Sequence, residues 1–391
     1  MLAELTCLEL FAGAGGLATG LRKAGIQHRA LVEWNRHACQ TLRQNYPHHQ
    51  VHTLDLKSCD FRQFGTVDIL AGGPPCQPFS IGGKHKGNDD SRNLFPSMMR
   101  AIASCCPRIF IIENVKGLLR SSFRPYFDYL LLGLAHPQAY RQSDEAWQDH
   151  YLRLQKIKSN SIRSGYQYNL HYQLLNAADY GIPQQRERIF IVGIRDDLTL
   201  NWSFPKPTHS QNALLWQQFI SGEYWDRHHL SPPSLSSLSA RLSQHVQKMQ
   251  QQPSLFPPSS QPWRTIRDQI GGLPAPDLAG SFHPEHCLRP GAKVYPGHTG
   301  SWIDLPSKTL KAGDHGVPGG ENMIRYHDGT VRYYTTYEAK LIQTFPADYL
   351  IGGAWTEAMR QLGNAVPVNL AHTLAQSLLK AFSSIQQYAT V

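Results

Sequence analysis

Short apolar runs separated by helix-like stretches dominate the first half of the chain. Leu5–Phe11, Ala30–Glu33, Thr53–Leu56, Val67–Ala71 and Ile109–Glu113 read as strands, followed by Tyr168–Leu175 and Ile189–Ile194. Strands alternating with helical segments predict an α/β fold, an open and mostly parallel sheet with helices on both faces. In such sheets ligands gather beyond the carboxyl ends of the strands, where loops are free of packing duties. Further along, residues 134–165 place Trp147, Tyr151 and Leu154 at helical spacing, which predicts a helix packed by one stripe. Arg141, Arg153, Lys156, Lys158 and Arg163 lie nearby, so contact with a nucleic-acid backbone is the alternative reading of that segment. The stretch SPPSLSSLSARLSQHVQKMQQQPSLFPPSSQPW is rich in serine, glutamine and proline and reads as a flexible excursion.

At 391 residues the chain is long enough for one large or two modest domains. Its seven cysteines are odd in number and scattered, with no CxxC pair and no N-terminal apolar signal, which points to a reducing, cytoplasmic setting. No apolar run approaches the roughly 20 residues of a membrane span, so no membrane is expected as a partner. A formal charge of +9 favours an anionic partner.

The chemistry-bearing residues fall at the predicted strand ends. The first strand runs into FAGAGGLATG, where Gly13, Gly15 and Ala18 satisfy G-x-G-x-x-G/A, a spacing that lets backbone approach a nucleotide at a helix N-terminus. The second strand ends in Glu33, about twenty positions on, where a carboxylate can accept from ribose hydroxyls. Trp34 offers a flat ring for adenine, and Asp55, closing the third strand, a bond to its amino group. A nicotinamide dinucleotide would satisfy the same glycines and glutamate, which leaves the cofactor open at this level.

The fourth strand delivers AGGPPCQPFSIGG, with Cys76 wedged between prolines and glycines on either side, and the fifth delivers Glu113 in RIFIIENV. A carboxylate after four apolar residues is costly to place without a partner or a task. QQRERIF then sets Arg186 and Arg188 two apart, on the same side of an extended chain. A thiol, a carboxyl group and two guanidiniums suit addition to an electron-poor ring. Cytosine C5 is too weak a nucleophile to take a methyl group unaided, and a thiolate adding to C6 pushes density there before leaving by elimination. Positive neighbours would depress the thiol pKa, a carboxyl group would bond N3 and the exocyclic amine, and an arginine would steady charge at O2. A base in a duplex must first be swung out, and Ser80–Arg92 (SIGGKHKGNDDSR) reads as a loop that closes over it.

With LELFAGAGGL, the EWN after the second strand, GGPPCQPFS, ENVKG, QQRERIF and GNAVPVNL in this order, the chain resembles the C5-cytosine DNA methyltransferase family of the bacterial modification type, over residues 5–195 and again from about 300 to 382. The resemblance implies S-adenosyl-L-methionine as methyl donor, no metal, Cys76 as nucleophile, Glu113 as the N3 partner, and Arg186 and Arg188 in support of the base and the cysteine. Phe11, Gly13, Gly15, Glu33, Trp34, Asp55, Leu56, Pro75, Asn364 and Val366 fall on its cofactor positions. Leu54 stands where many members have glycine, which leaves the acidic contact at Asp55 intact.

The implied reaction is methyl transfer to C5 of a flipped-out cytosine in a specific duplex DNA sequence through a covalent Cys76–C6 adduct. The expected setting is a restriction-modification system, with a cognate endonuclease at system level, or an orphan enzyme; the expected state is a nucleoid-associated monomer. Methylation of transfer RNA and a nicotinamide-dependent oxidoreductase are the alternatives. The implied organisation is a catalytic and cofactor-binding part at 1–198, a target-recognition domain at 199–305 and a C-terminal segment at 306–391 whose last helix, about 364–382, returns to the catalytic domain. Arg325–Tyr349 resembles the family's stretch before its last motif, and 307–320 the segment that supports its recognition domain. HPEHC at 283–287 lacks a second ligand pair, so it is not expected to hold zinc.

Overall fold

A computed structural model describes residues 5–75, 93–142, 144–160, 165–235, 238–252, 256–296, 298–312 and 322–388. Cys76 and the Ser80–Arg92 loop lie outside the described residues, as do 313–321. Packing divides the chain into two compact units, one of residues 1–175, 187–205 and 371–391, the other of 176–186 and 206–370. The sequence implies a boundary near 306, whereas residues 206–370 fall together in one unit and 371–391 in the other.

The first unit is built on a sheet ordered β3-β2-β1-β4-β5-β8-β6. Its strands are β1 (Thr6–Leu10), β2 (Gln27–Glu33), β3 (Val51–Thr53), β4 (Ile69–Gly72), β5 (Ile109–Val115), β6 (Tyr168–Asn176) and β8 (Glu187–Arg195); the two-residue β7 (Gln184–Gln185) belongs to the second unit. The first five are parallel, and β8 runs antiparallel to β5. Leu8, Leu10, Val32, Leu70, Phe110 and Ile112 are wholly buried, which explains why these strands read as apolar runs.

Local chemistry starts the helices between them. Asn35 caps α2 (Arg36–Asn45) by accepting from the His37 and Ala38 N–H groups, after α1 (Gly16–Lys23) has left the first turn. Prolines in the first turn open α3 (Phe95–Cys105) and α4 (Arg124–Ala135), where their missing N–H is no loss.

The predicted stripe in 134–165 forms α5 (Trp147–Ser159), with Leu154 fully buried and Trp147, Tyr151 and Ile157 packed on the same core. Arg153 is held there: its Nε and a terminal nitrogen each donate to Glu145 at 2.8 Å, and it also reaches the Tyr140 carbonyl oxygen. The structure therefore favours the packed helix over the backbone-contact alternative for this residue. The last helix, Val368–Tyr388, joins the unit through Ser377, which accepts from Trp202 Nε1 at 3.0 Å, and Phe382, which lies under Arg108.

The second unit centres on Leu214, Tyr224, Trp225 and Trp263. Beside them the buried Asp304 accepts from Tyr224, Arg267 and His327. Burial alone would raise its carboxyl pKa, but these partners, Arg267 foremost, hold it below the ordinary value. A three-stranded sheet of Ser301–Trp302, Met323–Arg325 and Val331–Tyr333 adjoins, and β7 pairs with Ser307–Lys308.

The serine- and glutamine-rich excursion contains an ordered helix, Ala240–Gln251, capped by Ser239 and anchored by the buried Val246, so composition alone misjudged it. In HPEHC, Glu285 pairs with the fully buried Lys340, and both ring nitrogens of His286 are engaged, by Thr335 and the Pro274 carbonyl oxygen. The motif thus fastens helix Thr336–Ile342 and its N-cap, Thr335.

Candidate active site

Beyond β1 the chain turns sharply, with Phe11, Gly13 and Gly15 at φ values of 56°, 55° and 82°. A bulky residue in this region is strained by about 1–3 kcal/mol and persists only where its surroundings impose it. Here Ala12 N–H donates to the Val32 carbonyl oxygen at 3.1 Å and Gly13 N–H to Glu33 Oε2 at 2.8 Å. Glu33 Oε1 accepts from Trp34 and Asn35 N–H at 2.9 and 2.7 Å. One carboxylate thus fixes both its own loop and the glycine turn.

These three bonds leave room for an outside hydroxyl among the roughly four lone-pair sites of a carboxylate. A Cβ built on Gly13 meets nothing within 4 Å, so the turn faces open space. Trp34 is 68% exposed and presents its ring. β3 stops at Thr53, earlier than expected, so Asp55 lies in the following loop, accepting from Lys57 N–H at 2.9 Å. Leu54 N–H still reaches the Glu33 carbonyl oxygen, and Leu56 is buried. The residues present fit an adenosine-type cofactor.

Two strands along, β4 leads through Gly72 and Gly73 to Pro74 and the exposed Pro75. A Cβ on Gly72 would collide with the Leu10 carbonyl oxygen, and one on Gly73 would lie 3.1 Å from Glu113 Oε2. Close approach of the two strands therefore dictates Gly72, while a side chain at Gly73 would press the Glu113 carboxylate aside by a few tenths of an ångström. The Pro74 carbonyl oxygen accepts from the buried Asn114 side chain at 3.0 Å, which fixes the backbone two residues before Cys76. Sequence reasoning did not assign this residue, although it sits in the ENV motif.

Glu113 Oε1 and Arg188 Nε are 2.9 Å apart. In the β5–β8 ladder Val115 faces Arg188, so Glu113, two residues earlier, is its diagonal neighbour on the same face. Burial lowers the Arg188 pKa and Glu113 offsets part of that effect. On the opposite face Lys116 pairs with Glu187 in the open. A cavity of about 400 Å³ lined by Gln138, Tyr166, Asp196 and Asp197 lies past the other end of β8, away from these groups.

Arg186 parts company with Arg188. It lies in the second unit, fully buried, and donates to the carbonyl oxygens of Leu310 at 3.2 Å and Gly363 at 2.8 Å. Gly363 cannot carry a side chain there, because a Cβ would collide with the Ala312 backbone. Asn364, exposed, and Val366, buried, follow at the end of helix Trp355–Asn364, also in the second unit.

The sheet order β3-β2-β1-β4-β5-β8-β6, with β8 antiparallel, and the solved structures that match it give this chain the S-adenosylmethionine-dependent methyltransferase fold. Among solved structures, the Schizosaccharomyces pombe Dnmt2 methyltransferase matches 97% of this chain and 99% of its own at a TM-score of 0.57 and 16% identity. A Spodoptera frugiperda DNMT2 mutant matches 96% and 100% at 0.54 and 17%.

Sequence carries the assignment further. The family described as C-5 cytosine-specific DNA methylase matches residues 5–137 and 146–380. Type II methyltransferase M.Eco47II of Escherichia coli is 32% identical over 390 residues, 98% of this chain and 80% of that protein. M.NgoMIV of Neisseria gonorrhoeae, also a type II methyltransferase, is 29% identical over 381 residues, 97% and 98% of the two chains. The chain belongs to this family and is a DNA (cytosine-5-)-methyltransferase. The nicotinamide-dependent alternative is set aside.

Proposed function

We propose that this enzyme transfers methyl from S-adenosyl-L-methionine to C5 of a cytosine flipped out of a specific duplex DNA sequence, as a monomeric modification enzyme with or without a cognate restriction endonuclease. The observation that carries the reading is the Glu113–Arg188 pair beside the Asn114-tethered Pro74, which leads to Cys76 two residues on. No helix among the described residues is long and apolar enough to cross a membrane, and a cytoplasmic, nucleoid-associated setting belongs to the same proposal.

The methyl donor supplies an electrophilic methyl group when bound. Phe11, Gly13 and Gly15 would receive it at the turn, Glu33 would accept from its ribose, Trp34 would stack on adenine, and Asp55 with Leu56 would flank the ring. Pro75, Asn364 and Val366 complete the proposed cofactor set. No metal is assigned a role.

In the proposed reaction the Cys76 thiolate adds to C6 of the extruded base and density moves to C5. Glu113 bonds N3 and the exocyclic amine, and Arg188 orients Glu113 and steadies charge near O2. C5 would take the donor's methyl group, the demethylated thioether being left behind, and would give its proton to solvent; elimination then re-forms the C5–C6 double bond and releases the Cys76 thiolate. Arg186 acts at a distance by tying the 310 and 363 backbones together. Residues 199–305 would read the target sequence through base edges.

Bisulfite sequencing of DNA from cells producing the protein tests activity and site together. In parallel, labelled cofactor is supplied with duplex DNA or transfer RNA. Label in DNA at a fixed sequence is expected, and label confined to RNA would overturn the proposal.

A further inference from the structure

Beneath the cofactor turn lies a buried ionisable pair that the proposed chemistry does not use. Glu9, on β1, and His28, on β2, are 1% and 5% exposed, with Glu9 Oε2 3.2 Å from His28 Nε2. The backbone of Ala18, in α1, gives Glu9 a further hydrogen bond. Next to Ala18, Thr19 donates to the Gly15 carbonyl oxygen at 2.6 Å and shares a hydrogen bond with the Tyr46 hydroxyl at 2.8 Å. The Tyr46 ring stands edge-on to His28. Both ends of the Phe11–Gly15 turn are therefore tied to one polar cluster: the incoming strand through Glu9, the outgoing helix through Ala18 and Thr19.

Proton inventory limits the state of the pair. Burial raises the Glu9 carboxyl pKa, and His28 offsets this only in part. His28 Nδ1 is buried with no hydrogen-bond partner among the described residues, so an imidazolium would strand a second N–H. The Nε2–H tautomer avoids this, with Nε2 donating to Glu9 Oε2. The titratable groups around it are Cys7 on β1, whose thiol is pushed up by burial and by Glu9, Tyr46 after α2, and Arg22 of α1, which lies over the Tyr46 ring. Lys23 of α1 and His372 of the last helix act on each other near Gly20.

We propose that Glu9 and His28, joined by a buried hydrogen bond, are positioning residues that brace β1, β2 and α1 so that the strained Phe11–Gly15 turn is preformed for the methyl donor. The inference rests on the reading that this turn holds S-adenosyl-L-methionine.

Calorimetric titration of the full chain with S-adenosyl-L-methionine and with its demethylated product, for wild type, E9Q, E9L, His28→Gln and His28→Leu, tests it, alongside thermal unfolding without ligand. The carboxamide oxygen introduced by E9Q can still accept from His28 Nε2–H, so this variant should bind within about threefold of wild type. The alkyl group introduced by E9L cannot, and that variant should bind about tenfold or more weakly when measured well below its own unfolding temperature. His28→Gln, whose carboxamide can donate to Glu9 from the other strand, should bind as E9Q does, and His28→Leu as E9L does. Wild-type affinity in E9L or in His28→Leu would overturn the proposal. If neither apolar variant folds, E9Q decides: a tenfold loss of affinity in a variant that keeps the bond would overturn it. Wild type that binds neither ligand would instead overturn the cofactor reading, with the inference built on it.

Discussion

Asn114 Nδ2 holds the carbonyl oxygen of Pro74 at 3.0 Å, and this bond sets where the chain stands as it enters Cys76. Reacting groups displaced by about 1 Å lose roughly a hundredfold in rate. Asn114→Ala should therefore lower single-turnover methylation by about that factor while cofactor affinity is kept. A full rate in this variant would show that the tether has no part in placing the nucleophile.

Cys76→Ala should bind cofactor as wild type does and transfer no detectable methyl to duplex DNA, since the proposed attack of the thiol is on the base alone. DNA carrying 5-fluorocytosine should trap the wild-type enzyme covalently, because the C5 substituent cannot leave as a proton. Peptide mass spectrometry of the trapped complex reads out the residue, and any attachment point other than Cys76 excludes the adduct.

Breaking a buried ion pair by removing one partner strands the other charge, at about 3–5 kcal/mol. Glu113→Gln and Arg188→Met should each reduce the urea midpoint, and the double variant should lose much less than the two together, a coupling above about 1 kcal/mol. Arg188→Lys should not restore kcat, since an ammonium lacks the planar fork that meets a carboxylate. Additive losses in the cycle would mean that the 2.9 Å pair is energetically idle.

Arg153 holds the Glu145 carboxyl at about 2, well below the ordinary 4.5. A depressed carboxylate stabilises the fold fully above its ordinary value, and that contribution disappears as pH falls from about 4.5 towards 2. Glu145→Gln should unfold more easily than wild type at neutral pH, with the gap closing by about pH 2. An equal gap at both pH values would remove the ion pair as its cause.

Because Arg153 is already engaged, α5 should contribute little to DNA binding. Replacing Lys156 and Lys158 by Gln should leave the slope of log affinity against log salt unchanged. A slope reduced by about one per charge would restore the backbone-contact reading.

Much of the fold was legible because it is written in local patterns. The apolar runs ending at Leu10, Glu33 and Glu113 mark strands of the sheet, and the glycine spacing after Leu10 marks the turn that Glu33 closes. What escaped depends on contacts distant in sequence. Nothing near Arg186 announces that its guanidinium is committed to carbonyls at 310 and 363, and two arginines on one side of an extended chain look interchangeable until the strand pairing separates them. The carboxamide of Asn114 is read from the same triplet as Glu113, but its partner lies forty positions back. Composition misled at 240–251, where a few apolar anchors such as Val246 suffice to order a polar helix. Cys76 itself, the clearest signal in the sequence, lies outside the described residues.

Side chains alternate along β8, so a slip of one position against β5 would put Glu187 where Arg188 stands, carboxylate diagonal to carboxylate. Misalignment would thus exchange attraction for repulsion in a dry place, while also parting Glu187 from Lys116 outside. The ladder carries its own check on threading.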